Sequence, residues 1–411
     1  MRKKYGKGFA LMHKRKTGQI ILLVLLLLVL IALYALRAML PEAEPEKPTV
    51  TPEPVTEATP APTPAATPEP TPVPTPEPTP EPTPEPTPEP TPQPVQSYTF
   101  HFAGDSTIGS LVEWQGSNSR DFQSVVGTNY GQPLANVQGY FANDDFTMVN
   151  LEGTFTTGTA AVEKKYRFKA DPAYAAVLSE GSVEAVSVAN NHAGDLGDSG
   201  RADTKSTLTA LGIQYADAGE VLIRELERGG KIGVVTYNTV ENLSGEAAWR
   251  QSVQNDIERC KAEGCDFIIG FMHWGTVEYL TAPEAWEVQL AHDMADWGCG
   301  LIVGGHAHIL QRSEIYNGVP IFYSMGNFCY GGHLNPDDKD SVIVEAKLQY
   351  DPADGTLSLV SVQPIPCLVS SRKDTNDYCP TPCDVGGEDY LRIFSRLEWT
   401  GDPTPRKDAN Q

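Results

Sequence analysis

Residues 20–36 form an unbroken apolar run of Ile, Leu, Val and Ala with a single Tyr and no charge. About 20 apolar residues cross a bilayer core. Ala38, Met39 and Leu40 complete that length beyond Arg37, whose guanidinium can snorkel to the interface. The pattern predicts a transmembrane signal-anchor helix over 20–40. A cleaved signal peptide is the competing reading. The run exceeds the roughly 7–15 residues of a signal-peptide core, and bulky side chains spoil the small-residue pattern at 35–38. In 41–96, Thr-Pro and Glu-Pro repeats dominate, almost without interruption from Thr67 to Pro92. Proline at that density removes helix and ladder hydrogen bonds. The stretch reads as an extended polyproline II linker of at most roughly 170 Å.

From Ser97 onward the pattern changes to short apolar runs that end in polar residues. These predict strands at Thr99–Ala103, Thr147–Leu151, Ala185–Ala189, Lys231–Tyr237, Phe267–Met272, Leu301–Val303 and Ile321–Tyr323. Helices are predicted at Pro133–Ala142, Pro172–Leu178, Ala202–Leu211, Ala247–Glu263 and Pro283–Trp297. Strands alternating with helices imply an α/β fold. Near the end, Ser341–Gln349 and Thr356–Val362 flank the turn residues Asp354 and Gly355 and read as an antiparallel hairpin. The expected domain over 97–411 is layered α/β, with mixed sheets flanked by helices and antiparallel strands at the margins.

Charge divides the chain in the same places. Residues 1–40 hold eight Lys or Arg and no acid, and residues 41–96 hold ten Glu against one Lys. The net charge of -22 leaves -21 for 97–411. Seven cations, from Arg2 to Lys16, precede the apolar run. The positive-inside rule then makes 1–19 a basic cytoplasmic tail and puts 97–411 outside the cell, on a single-pass membrane protein. A domain this acidic is no general binder of nucleic acid or anionic membrane. The linker reads as a passive spacer, and its Thr-Pro steps are also an O-glycosylation context.

The chemistry lies in the polar residues just after each strand. Asp105 comes after the first, Asn150 and Glu152 after the second, and Asn190, Asn191, His192 and Asp195 after the third. His273 ends the Phe267 strand, with Glu278 and Tyr279 soon after; His306 and His308 succeed the Leu301 strand, and Asn327 succeeds the Ile321 strand. Ligands bind outside the carboxyl ends of strands in open α/β sheets. Carboxylate oxygen combined with imidazole nitrogen suits Mn, Fe or Zn better than Ca. A carboxylate from a central strand can bridge two such ions, a pairing suited to phosphate-ester hydrolysis. Arg167 and Lys169 are candidates for holding an anionic substrate, with solvated strand-edge charges as the alternative.

In order and spacing these motifs resemble the CapA family of capsule-biosynthesis proteins associated with poly-γ-glutamate, which is similar in fold to calcineurin-like metallophosphoesterases. The resemblance covers roughly Thr99 to Phe328. It is carried by Gly104-Asp105, Asn150-Leu151-Glu152, Ala189-Asn190-Asn191-His192 with Asp195, His273-Trp274-Gly275 with Glu278-Tyr279, Gly305-His306-Ala307-His308 and Tyr323-Ser324-Met325-Gly326-Asn327-Phe328. It implies Asp105 and His308 at a first metal, Glu152 as the bridge, and Asn191, His273 and His306 at a second. His192 is implied as the group that protonates a leaving oxygen or stabilises the phosphate. Glu278 is implied as an acid/base group or as the orienter of His273. Asn190, Asp195, Asn327 and Arg167 are the candidate substrate contacts. Phosphoesterases place a His two residues after the first Asp, where this chain has Thr107, so the expectation is one or two divalent ions.

Two functions remain open at this level. One is a metal-dependent hydrolase of a phosphate ester or amide in surface-polymer metabolism. The other is a non-catalytic, metal-dependent polymer-binding or export factor working with synthase or export subunits. Seven cysteines cannot all pair within one chain. Cys265 and Cys299 hold matching places before two strands, and Cys379 and Cys383 lie close together. Each pair is a possible disulfide, against the alternative of buried free thiols.

Overall fold

The computed structural model describes residues 93–240 and 246–401. The expected tail, anchor helix and nearly all of the linker lie outside the described residues. Among the described residues no helix is long and apolar enough to cross a membrane.

Two mixed sheets form the body of the domain. The first runs, in spatial order, β16 (Thr381–Pro382), β15 (Thr356–Leu368), β14 (Asp340–Asp351), β1 (Gln96–Ser106), β3 (Phe146–Leu151), β6 (Ala185–Ser187) and β7 (Gln214–Ala216). The second runs β12 (Ser313–Tyr316), β13 (Val319–Phe322), β11 (Leu301–Gly305), β10 (Phe267–His273), β9 (Lys231–Asn238) and β8 (Val221–Glu225). Each has a parallel centre: β1, β3, β6 and β7 in one, and β9, β10, β11 and β13 in the other. A small third sheet joins β2 (Ser110–Leu111), β5 (Phe168–Ala170) and β4 (Thr154–Phe155).

Side-chain alternation with period two explains the layering. Along β10, Phe267, Ile269 and Phe271 enter a core shared with Phe100, Phe102, Met148 and Val344 of the first sheet. The intervening Ile268 and Met272 meet Val253 and Ile257 of the helix Glu246–Ala262 and Leu290 and Met294 of the helix Ala285–Asp296. The outer face of the first sheet packs on short helices through Phe122, Phe141 and Leu178, and on the helix Gly197–Ala210 through Leu208. The result is helices, sheet, sheet, helices. Because the central parallel strands are buried on two faces, they read as near-continuous apolar runs. Their polar residues are left for the ends.

All seven expected strands are present, and the hairpin is β14–β15, with Asp351 opposite Thr356. The last two expected helices hold to within two residues. The Ala285–Asp296 helix starts on a reciprocal cap, in which the Glu287 carboxylate accepts from the Glu284 N–H. The expected helix over Pro133–Ala142 shrinks to Gln138–Phe141. Residues before it form successive tight turns that bury Leu134 and Val137, and Asn136 bonds Thr381. All seven cysteines are free thiols, so the alternative of free thiols holds and neither possible disulfide is formed. The Cys265 thiol lies beside that of Cys260 on the long helix. The Cys379 thiol is directed instead to the Gln132 carbonyl, at 3.3 Å.

Candidate metal centre

The carboxyl ends of the central strands of both sheets converge on one buried polar centre. From the first sheet, a bulge at Gly104 re-aims the end of β1, so that Asp105 stands opposite Asn150 of β3. Glycine is required there, because a Cβ would sit 2.0 Å from the Gly326 carbonyl oxygen. From the second sheet, His273 is the last residue of β10 and lies opposite Gly305 at the end of β11. The chain then turns sharply, with His306 at φ 87° and His308 at φ 57°. Non-glycine residues pay about 1–3 kcal/mol for such a conformation, and it clusters at functional sites. The His306 N–H donates to Asp105 Oδ2 at 2.9 Å, and Gly305 permits that approach, since a Cβ would meet Asp105 Oδ1 at 2.4 Å.

Glu152 stands at the middle. Its carboxylate is fully buried, and neither oxygen has a hydrogen-bond partner among the described residues. His273 Nε2 lies 3.6 Å from Glu152 Oε1, His308 Nε2 3.8 Å and His192 Nε2 4.0 Å. Asp105 faces His308 Nδ1 at 3.5 Å and His273 Nδ1 at 3.7 Å. Ligand atoms of Asp105, Glu152 and His308 all fall within 4.8 Å of one another. His273 Nε2 meets Asn191 Oδ1 at 2.8 Å, which brings an amide oxygen to the cluster. The His306 ring packs on His273 with centroids 5.0 Å apart, and its buried Nδ1 has no partner among the described residues.

Electrostatics mark what the centre lacks. Burial, reinforced by the charges of Asp105 and Glu278, raises the Glu152 pKa well above the usual carboxylate range. Asp105 goes the other way: burial opposes its ionisation, but His273 and His308 outweigh it and hold it low. Burial lowers the pKa of His273 and His192, and it pushes His306 down to about 2, with His273 and His308 adding to the effect. The buried Glu152 carboxylate without a donor, the unpartnered His306 Nδ1 and the carboxylate and imidazole groups of Asp105 and His308 beside them form a set that fits a divalent cation. Asp105, Glu152 and His308 are the residues best placed to hold it, with His273, Asn191 and His306 around them.

The remaining sequence candidates act mostly as supports. Asn190 donates to Asn150 Oδ1 at 2.9 Å and to the Leu151 carbonyl at 2.8 Å, and it accepts from the His192 N–H at 3.0 Å. Asp195 binds His192 Nδ1 at 2.7 Å and the Phe168 N–H at 2.7 Å, so His192 Nε2 faces the centre. Asn327 accepts from His308 Nδ1 at 2.8 Å and returns a bond to the His308 carbonyl at 2.9 Å. Glu278 is half-buried nearby but makes no hydrogen bond to His273, whose ring is oriented by Asn150 and Asn191. Arg167 pairs with Glu113 and the Val162 carbonyl, and Lys169 binds the Gly158 carbonyl at 2.6 Å. Thr107 is buried with Oγ1 unpartnered among the described residues.

Asn150, named above only as a strand-end residue, and Lys164, which the sequence did not single out, also belong to the site. Asn150 links Asp105, at 2.8 Å, to His273, at 3.1 Å. Lys164 reaches the Asn191 carbonyl at 2.5 Å and Asp195 at 3.2 Å. Arg167 and Lys169 mark the same basic loop in the sequence, but only the fold selects which cation points inward.

The profile of the family described as "Bacterial capsule synthesis protein PGA_cap" matches residues 99–331, which contain every residue of this centre. The chain belongs to this family. Among curated proteins it is similar to the "PGA biosynthesis protein CapA" of Bacillus subtilis (strain 168). That match is 28% identical over 265 residues and covers 60% of this chain and 67% of the relative. It is also similar to the "Capsule biosynthesis protein CapA" of Bacillus anthracis, 27% identical over 314 residues, covering 68% of this chain and 72% of the relative. Among solved structures, the calcineurin-like phosphoesterase YfkN of Bacillus subtilis aligns at a TM-score of 0.42 and 16% identity, over 74% of this chain and 97% of that one. The assignment of the centre rests on its own donors.

Proposed function

We propose that this family member is a membrane-anchored extracellular hydrolase. It acts in the synthesis of poly-γ-glutamate or a related surface polymer, on a phosphate-ester or amide linkage. The observation that carries the reading is Glu152, a fully buried carboxylate with two orphaned oxygens, ringed by histidines whose basicity burial has lowered. One or two divalent ions, with Mn, Fe or Zn suited to the donors, would lower the pKa of water and neutralise developing negative charge. Asp105, Glu152 and His308 would hold the ion, with Asn191, His273 and His306 completing the set. Asn327 fixes the His308 ring so that Nε2 is directed inward. His192 is placed to hand over or take up a proton at Nε2, because Asp195 engages its other nitrogen. Phe168 packs on that ring, with centroids 4.4 Å apart, and limits its rotation.

The reading is tested on the full-length chain, reconstituted with Mn, beside Glu152→Ala and His308→Ala. Metal content and turnover of phosphomonoesters, phosphodiesters and γ-glutamyl amides are measured on the same samples. The expected result is bound metal and turnover in the wild type, with both lost in the two variants. Metal retained without turnover would move the assignment to metal-dependent polymer binding. Absence of metal in the wild type would overturn the centre itself.

A further inference from the structure

We propose that Cys260 and Cys265 form a disulfide when the folded domain meets a small-molecule disulfide oxidant. The bond would tie the end of the helix Glu246–Ala262 to the entry of β10. It joins neither of the pairs that the sequence suggests, Cys265 with Cys299 and Cys379 with Cys383. Nothing at the metal centre enters into it.

Four helices of the domain end in one way, and that ending brings the two thiols together. After Ala176–Glu180, Gly197–Ala210, Glu246–Ala262 and Ala285–Asp296 the chain passes through a residue of positive φ: Ser182, Gly212, Gly264 and Gly298 in turn. The next N–H then donates to the carbonyl five residues back. Val183 donates to Leu178, Ile213 to Leu208, Cys265 to Cys260 and Cys299 to Met294, each at 3.0 Å. This Schellman ending sets the side chains of its first and last residues against each other, and both are usually apolar. Leu178 with Val183, and Leu208 with Ile213, share one core cluster, while Met294 and Cys299 share another. At the helix Glu246–Ala262 the same ending sets thiol against thiol. Both thiols also press on Gly233 of β9, where a Cβ would lie 2.6 Å from the Cys260 Sγ and 3.1 Å from the Cys265 Sγ. The two sulfurs are therefore no farther apart than those distances laid end to end. A disulfide joins residues with Cα atoms about 4.4–6.8 Å apart. The N–H···O bond between Cys265 and Cys260 confines the two residues to about that reach.

The chemistry is ordinary thiol–disulfide exchange. Cys265 is half-buried and reachable, whereas Cys260 is buried. The Cys265 thiolate attacks one sulfur of the oxidant, such as oxidised glutathione, and one glutathione thiol leaves. The Cys260 thiolate then attacks the Cys265 sulfur and expels the second. The two protein thiols give up two electrons and two protons, and the oxidant takes both up as two thiols. Burial pushes the Cys260 thiol up to about 12, with Cys265 adding to the effect, and at Cys265 burial outweighs the charge of Lys231. Neither is a reactive thiolate, so closure is slow and the bond serves structure rather than catalysis. Cys299 is buried in its own cap with Met294 and does not compete. An extracellular setting allows such a bond to persist.

The test uses folded full-length protein, treated with oxidised glutathione in mildly alkaline buffer and then trapped with a maleimide. Cleavage at Lys261 and Phe267 puts Cys260, Cys265 and Cys299 on separate peptides for mass spectrometry. The expected result is a linked Cys260–Cys265 peptide pair, with both thiols lost to the maleimide. The thermal midpoint should rise by about 2–4 °C and fall back on reduction. Cys265→Val keeps an apolar contact at the cap, so it should melt near the reduced wild type and lose both responses. Cys299→Ala should still form the bond. Cys260 and Cys265 both trapped by the maleimide after oxidation would overturn the proposal. So would linkage of either to another cysteine, or a lasting glutathione adduct on Cys265 with Cys260 still free.

Discussion

Two buried clusters in this domain combine histidine with carboxylates, and they resolve the same electrostatic problem in opposite ways. At the first, His101 on β1 binds Asp144 through Nδ1 at 2.6 Å and lies 3.4 Å from Glu345 on β14 through Nε2. Thr147 adds a bond to Asp144 at 2.6 Å. Burial disfavours a charged imidazole there, but the two carboxylates outweigh it and raise the His101 pKa. The imidazole is the group in this cluster able to carry positive charge. At the metal centre, burial wins at His192, His273 and His306, neither Glu152 oxygen has a hydrogen-bond donor among the described residues, and the charge of Lys164 does not outweigh burial there. A buried histidine beside a carboxylate is therefore no sign of a metal site by itself. The distinguishing mark is which cluster is left short of positive charge.

The largest expected effect breaks the first cluster. His101→Leu leaves Asp144 and Glu345 buried without their cation and should cost roughly 3–5 kcal/mol in urea unfolding. The pH dependence has a definite sign. The folded pKa of His101 lies above its unfolded value near 6.5, so its contribution is complete below pH 6.5 and fades as pH rises through the folded value. The variant should lack this component of the pH profile. A profile unchanged by the substitution would remove His101 as the cation.

Glu152→Gln sharpens the contrast from the other side. In metal-free protein it removes an uncompensated buried carboxylate, so stability should rise by roughly 1–3 kcal/mol. Added Mn should then stabilise the wild type and leave the variant unmoved, as read by thermal melting. A metal-free variant less stable than the wild type would mean that the carboxylate is already compensated. The smallest effect concerns support rather than charge. Asn327→Ala frees the His308 ring and should weaken Mn binding by roughly 10–100-fold, with little change in the metal-free melting temperature.

Much of this was legible in the sequence, for a physical reason. Strands buried on both faces leave long apolar runs, and their polar ends are then conspicuous. Asp105, Glu152, His273, His306 and His308 were found in that way. The two-residue strands Ser110–Leu111, Thr154–Phe155 and Thr381–Pro382 were missed, because so short a pairing carries no period. Edge strands such as Val221–Glu225 and Ser313–Tyr316 were missed because they are only half-buried. The sequence also could not sort ligands from supports. Asn190, Asp195 and Asn327 look like any strand-end polar residue until their partners are seen.

The donors of the centre are drawn from strand ends scattered between positions 105 and 308, on two sheets that meet through one shared core. No two adjacent segments can assemble it. Contacts of such long sequence separation form late and slowly. An ion bound there would stabilise only the finished domain. Metal occupancy would then report completed folding. A chain cut short before His306 would already hold the β1, β3, β6 and β7 segments of its first sheet and yet show nothing in a metal assay.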